Sequence, residues 1–201
     1  EDNGGMRLTY PTLGAMLKYP WTSHFAQPKP KFSSFKTEYD NLCEVAAELK
    51  LIEKTRNKSE SKAEFARHPL AYLVEAADDI CYYVLDMEDA IGLKLLPQDV
   101  FNRKFKKYLR DELSREQDRL LEEGEDSISW SIKNGLLRGK MIGLMIEEIV
   151  EAFKENYDRI MEGSFKGSLL TKTNCNSLCL GIKALYKKDN LKKKIYQNDR
   201  N

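Results

Sequence analysis

The sequence predicts an all-α fold, and three observations carry that expectation. Apolar residues recur at i, i+3 and i+4 over several long stretches. No segment sustains the alternation of a half-buried strand, and no Asn-Gly turn stands between two β-branched runs. Charged residues make up 32% of the chain, a share that suits long amphipathic helices with solvated outer faces. The 201 residues are enough for one fair-sized domain or two small ones, and 41% hydrophobic residues can supply a core.

Each element follows from local chemistry. A short helix is expected within Leu8–Tyr19, where Leu13, Met16 and Leu17 share one side. Pro20, Pro28 and Pro30 then deny regular helix or central strand, so an extended loop follows. Helix resumes near Lys36, with Tyr39, Leu42, Cys43, Ala46, Leu49 and Ile52 at helical spacing. The run EKTRNKSESKAEFAR is polar and charged and reads as a mobile surface loop. Pro69 opens the next helix, because a first-turn proline lacks only an N–H that would have no helical partner. That helix is expected to reach Ile91 and stop at Gly92. A shorter helix should follow Pro97 to about Leu109, and the stretch DELSREQDRLLEEGED should face solvent. From Ile128 to Ile160 runs a long periodic segment, in which Gly135, Gly139 and Gly143 mark a face for close approach of another helix. A last helix spans Asn174–Tyr196, apolar at Leu178, Ile182, Leu185 and Tyr186.

A net charge of +1 gives no bulk attraction to nucleic acid or membrane. No run of some 18 apolar residues exists, so no transmembrane helix is expected. The opening EDNGGMRLTY has no starting Met and no signal pattern, and the end KKKIYQNDRN has no cap, so the chain is expected to be a fragment of something longer. Cys43 and Cys81 lie in apolar helical patterns and are expected to be reduced core residues. Cys175 and Cys179 share a helix face with no nearby His, which suits packing better than zinc. A cytoplasmic protein is expected. Trp21 and Trp130 read as packing residues, and Arg138 and Lys140 as helix-surface residues. The basic run KALYKKDNLKKKIYQNDR is either a solvated helix face or a contact to phosphate.

The stretch HPLAYLVEAADDICYYVLDMEDA poses the functional question. Helical positions i, i+4 and i+8 drift by about 40° per step, so Asp78, Tyr82 and Asp86 form one oblique stripe. Leu73, Val74, Ala77, Ile80, Cys81, Val84 and Leu85 surround it with apolar surface. A carboxylate there needs a compensating cation, metal or strong donors. An arginine from another helix would serve, and so would a bound ion, although one aspartate supplies too few ligands for a metal site.

The segment RHPLAYLVEAADDICYYVLDMEDAI resembles the dGTPase branch of the HD-domain deoxynucleoside-triphosphate triphosphohydrolases. Upstream, GMRLTYPTLGAMLKYPW, and downstream, LRGKMIGLMIEEIVEAF, resemble further blocks of that family in the same order. The resemblance implies a multi-helix bundle of the HD-domain type, present as an incomplete fragment. Residues 1–96 would then be the C-terminal part of the catalytic helical domain, and 97–201 a helical subdomain for assembly or regulation. Such enzymes hydrolyse a dNTP to deoxynucleoside and inorganic triphosphate around a divalent metal ion, magnesium or manganese. By the resemblance, Asp78 is a metal ligand, Tyr82 packs under the deoxyribose and Asp86 receives its 3′-hydroxyl. Lys18 and Tyr19, in KYP, match a segment near the triphosphate.

The same resemblance implies a homo-oligomer, often a hexamer, and a response to single-stranded DNA or a regulatory nucleotide. One departure stands out: no His-Asp dipeptide occurs, and the only histidines are His24 and His68. No catalytic residue is therefore expected within the chain, and the isolated chain is expected to be inactive. His68 reads as a structural or capping residue. Two other readings stay open. One is a non-catalytic helical module in which Asp78 is a buried salt-bridge partner, and the other an HD phosphohydrolase acting on a different nucleotide.

Overall fold

The computed structural model describes residues 7–25, 31–97, 100, 108–109 and 130–188. Among them are six α-helices, three short 3-10 turns and one two-stranded sheet, so the fold is predominantly helical as expected. The helices are α1 (Tyr10–Met16), α2 (Tyr39–Glu48), α3 (Pro69–Gly92), α4 (Trp130–Glu155), α5 (Tyr157–Met161) and α6 (Cys175–Lys188). The described residues fall into two compact units. One lies within Glu1–Ala76 and Phe153–Leu169, the other within Ala77–Ala152 and Leu170–Asn201.

In the first unit, α1 starts where the Thr9 side chain accepts the Thr12 backbone N–H, with Pro11 in the opening turn. It ends at Met16, short of Tyr19. A 3-10 turn, Lys36–Glu38, leads into α2, and Glu38 returns its carboxylate to the Phe35 N–H at 2.9 Å. Helix α2 stops at Glu48, four residues before Ile52, because Lys50 takes a left-handed conformation at φ 52°. The Lys50 N–H then bonds the Ala47 carbonyl and the Leu51 N–H the Ala46 carbonyl, a paired closure that terminates the helix.

The polar run read as a loop is instead a β-hairpin, β1 (Glu53–Asn57) paired antiparallel with β2 (Lys62–Phe65). A turn closes it from the Ser61 N–H to the Lys58 carbonyl, with Ser61 at φ 50°. Strand β2 buries Ala63 and Phe65 and leaves Lys62 and Glu64 half-exposed, a period of two too short to stand out in the sequence. Tyr39, Leu42, Cys43 and Ala46 of α2 meet Ala63 and Phe65 in one buried cluster. Removing each large apolar side chain from water contributes about 1.5–3 kcal/mol.

Helix α3 has the expected bounds, opened by Pro69 and ending at Gly92. The left-handed residue that closes it is Lys94, at φ 57°, rather than Gly92. Ile80, Val84, Met87, Ala90 and Ile91 are buried along α3 in the second unit. Helix α4 buries Asn134, Leu137, Met141, Met145, Ile149 and Ala152 at helical spacing. The long run expected to continue to Ile160 breaks at Asn156, which separates α4 from α5. Gly135, Gly139 and Gly143 lie on the other side of α4, and a Cβ at any of them would meet nothing within 4 Å. The expected close helix contact on that face is absent among the described residues. Arg138 is held by Glu88 of α3 at 2.6 Å.

Cys43, Cys175 and Cys179 are buried as expected, but Cys81 is exposed, because it sits on the flank of α3 away from the buried side. Trp21 is half-buried and its indole N–H donates to the Lys31 carbonyl at 2.7 Å. The helix expected after Pro97 falls outside the described residues except Val100, Tyr108 and Leu109. The stretch 111–126 and the basic residues after Lys188 also fall outside them. No helix among the described residues is long and apolar enough to cross a membrane.

Candidate functional site

Residue spacing on α3 determines how its acidic stripe faces. Buried Ala76, Ile80, Val84 and Met87 define one side, and Asp78 lies about 160–240° round the helix from them. Asp78 is consequently exposed, and the expected cost of a carboxylate in apolar surroundings does not arise. Ala77, Cys81 and Leu85 beside it are exposed too. Tyr82 and Asp86, each one turn further and rotated by about 40°, are half-buried. The Tyr82 ring meets Tyr83 edge-on, with centroids 5.4 Å apart at 84°, which restricts its swing. Burial raises the Tyr83 phenol above its ordinary value, with Cys179 and Asp79 adding to the effect. Asp79 is half-buried and faces a different direction from Asp78, as its 100° rotation requires.

Asp78 makes no ion pair among the described residues, so it is not the buried salt-bridge partner that one sequence reading envisaged. No three His, Cys, Asp or Glu side chains converge to hold a metal ion among the described residues. Asp78 alone does not fit a complete metal centre.

The other two expected residues, Lys18 and Tyr19, lie in the first unit, on the segment that leaves α1. The Tyr19 backbone N–H donates to Ser33 Oγ at 3.0 Å, and the Ser33 N–H returns to the Tyr19 carbonyl at 3.0 Å. Ser33 is thereby tied to KYP. Lys18 Nζ is 3.1 Å from Glu75 Oε1, and Arg67 Nη1 donates to Glu75 Oε2 at 2.8 Å. The Arg67 guanidinium lies 5.8 Å from the Tyr19 ring centroid and 5.3 Å from that of Tyr72. Lys31 Nζ stands 5.7 Å from the Tyr19 centroid. Arg67, Glu75 and Lys31 were not anticipated. Their charge is plain in the sequence, but nothing local says that positions 18, 31, 67 and 75 meet.

His68 keeps the structural role read for it. Its Nδ1 accepts the Leu70 N–H at 3.3 Å, and burial pushes its imidazole below the ordinary value. A separate concavity of about 640 Å³ in the first unit is lined largely by Leu8, Leu13, Met16, Leu17, Leu42 and Val45, and includes neither Lys18 nor Tyr19.

No family model matches the sequence. Individual proteins do. A deoxyguanosinetriphosphate triphosphohydrolase-like protein of Pseudomonas aeruginosa is 34% identical over 174 residues, covering 85% of this chain and 37% of that protein. A like-named protein of Listeria monocytogenes is 31% identical over 193 residues, 92% of this chain and 39% of its own length. The deoxyguanosinetriphosphate triphosphohydrolase of Yersinia pestis is 28% identical over 194 residues, 88% of this chain and 36% of its own. The chain thus spans little more than a third of the length of these curated relatives. Over most of its own length, it matches a segment of the dGTP triphosphohydrolase-like family.

Proposed function

We propose that this chain is the part of a dNTP triphosphohydrolase, dGTP being the first substrate to test, that presents one metal ligand and the sugar-binding surface. The observation that carries this is the stripe on α3: an exposed carboxylate at Asp78, an aromatic ring at Tyr82 and a half-buried carboxylate at Asp86. The match to relatives bearing that name supports it. The Tyr82 ring offers an apolar face to a deoxyribose and leaves little room for a 2′-hydroxyl. The Asp86 carboxylate accepts the hydrogen bond of a 3′-hydroxyl.

Asp78 is one ligand of a magnesium or manganese ion in this reading, and the remaining ligands come from residues other than these. Lys18 and Tyr19 belong to the phosphate side.

The test uses a longer protein containing this sequence, with release of inorganic triphosphate from dGTP as the readout. Asp78→Ala is expected to lower turnover by at least about 100-fold, the scale on which loss of a metal-centre contact is felt. Near-unchanged turnover refutes the assignment. The 201-residue chain alone is expected to release no triphosphate. Comparing dNTPs with NTPs on the longer protein separates this reading from a phosphohydrolase of another nucleotide.

A further inference from the structure

Helices α1 and α2, both in the first unit, leave between them an apolar groove whose two banks differ in chemistry. Leu42 and Val45 form its floor. The bank on the α1 side carries Leu8, Tyr10 and Met16, which remain 39%, 36% and 64% exposed. The α2 bank is acidic. Glu44 Oε1 accepts the Tyr10 hydroxyl at 2.5 Å, which fixes the carboxylate at the edge of the groove, and its other oxygen has no partner among the described residues. Glu48 stands one turn further on, and its charge joins the bond to Glu44 in holding the Tyr10 phenol above its ordinary value. Like charges four residues apart on a helix cost about 0.2–0.5 kcal/mol when nothing opposes them. Among the described residues, neither Glu44 nor Glu48 makes an ion pair, and no lysine or arginine lines the groove.

We propose that this groove docks an amphipathic helix of a separate protein, with apolar side chains along one face and two basic residues one turn apart on the flank that meets Glu44 and Glu48. The charge pattern selects that partner. Two unopposed carboxylates repel an anionic bilayer or a nucleic-acid backbone, and they attract Lys or Arg. The open side of the groove selects a helix over a small molecule. A small ligand is mostly enclosed by its pocket, whereas here three large side chains on one bank still turn apolar surface outward, and a helix can cover them together. Met16 suits such a contact because its unbranched thioether adapts to the shape set against it, and Tyr10 supplies an aromatic anchor. The inference concerns only the face between α1 and α2, and it depends neither on Asp78 nor on the dNTP reading.

The probe is a labelled synthetic helix of about 18 residues, with leucines at i, i+3, i+4 and i+7 spacing and two lysines one turn apart on one flank. Its binding to the 201-residue chain is followed by fluorescence anisotropy at low ionic strength. Binding is expected, and it should weaken as salt is added. The same peptide with glutamates in place of those lysines should bind at least about tenfold more weakly. Met16→Lys, at an exposed position where substitution does not threaten the fold, should weaken the lysine peptide about tenfold or more. Joint replacement by Glu44→Gln and Glu48→Gln keeps an acceptor for Tyr10 and should weaken it about fivefold or more. Glu60→Gln, an exposed glutamate on the hairpin turn, should leave it within about twofold. Absence of binding, equal affinity for the two peptides, or unchanged affinity in Met16→Lys would each overturn the assignment. So would failure of a longer protein containing this sequence to bind the lysine peptide, since the groove would then be filled by that protein's own chain.

Discussion

His68 caps α3 with its own ring: its Nδ1 accepts the Leu70 backbone N–H at 3.3 Å, one residue past Pro69. Gly14 of α1 lies beside the same side chain, where an added Cβ would come within 3.2 Å of the His68 Cγ. One imidazole therefore satisfies an orphan helix donor and fills the space beside a glycine. The same residue sets a pH dependence.

Burial holds the folded His68 imidazole below its ordinary value, and its capping role also needs an unprotonated Nδ1. A base depressed on folding contributes its full stability above the unfolded value, near 6.5, and loses it as the pH falls through that value toward the folded one. Unfolding midpoints should therefore drop between about pH 7 and pH 5. His68→Asn retains a capping acceptor and should flatten that slope, whereas His68→Ala should cost about 1 kcal/mol at neutral pH. Thermal unfolding of the three proteins across this range checks it, and an unchanged slope in His68→Asn would exclude the imidazole as its source.

Gly163 should resist substitution. It follows α5 at φ +64°, and an added Cβ would lie 2.7 Å from the Ala66 Cβ. Left-handed backbone costs a residue with a Cβ about 1–2 kcal/mol, and the overlap with Ala66 adds to that. Gly163→Ala is expected to lose at least about 2 kcal/mol in urea unfolding with an unchanged m value.

Tyr72 anchors α3 to the segment after α5 through its hydroxyl, which donates to the Phe165 carbonyl at 3.1 Å in a buried setting. The two rings also meet edge-on at 5.3 Å. Tyr72→Phe keeps the ring contact and strands the carbonyl, for an expected loss of about 1–2 kcal/mol by chemical denaturation.

Asn134 behaves oppositely. It is fully buried on α4, and neither its amide nitrogen nor its oxygen has a hydrogen-bond partner among the described residues. An unsatisfied buried amide costs about 1–3 kcal/mol, so Asn134→Leu, of similar volume, should raise the unfolding midpoint. A lower midpoint would show that the amide is satisfied in solution.

Much of the helical frame could be read from the chain, because the signals that carry it are local. Pro69 and the apolar spacing behind it placed α3 within a residue. The hairpin was missed for a physical reason. Its first strand, EKTRN, is exposed or half-exposed throughout, and its second buries only Ala63 and Phe65, whose burial depends on α2 standing above them. The end of α2 at Lys50 was also hidden, since lysine is not a residue that announces a left-handed turn. Cys81 was misplaced because several faces of α3 are apolar, and spacing alone cannot say which is covered.

By itself the sequence determined the order of the helices and the one-turn intervals of Asp78, Tyr82 and Asp86, because both follow from the pitch of an α-helix. Only the tertiary structure decided that Asp78 faces outward and that Lys18, Lys31, Arg67 and Glu75 meet around Tyr19. Those are contacts across up to 57 residues, and no local preference encodes them. They exist because apolar surfaces elsewhere in the chain must be buried together, and the charged groups are carried to wherever that burial leaves them.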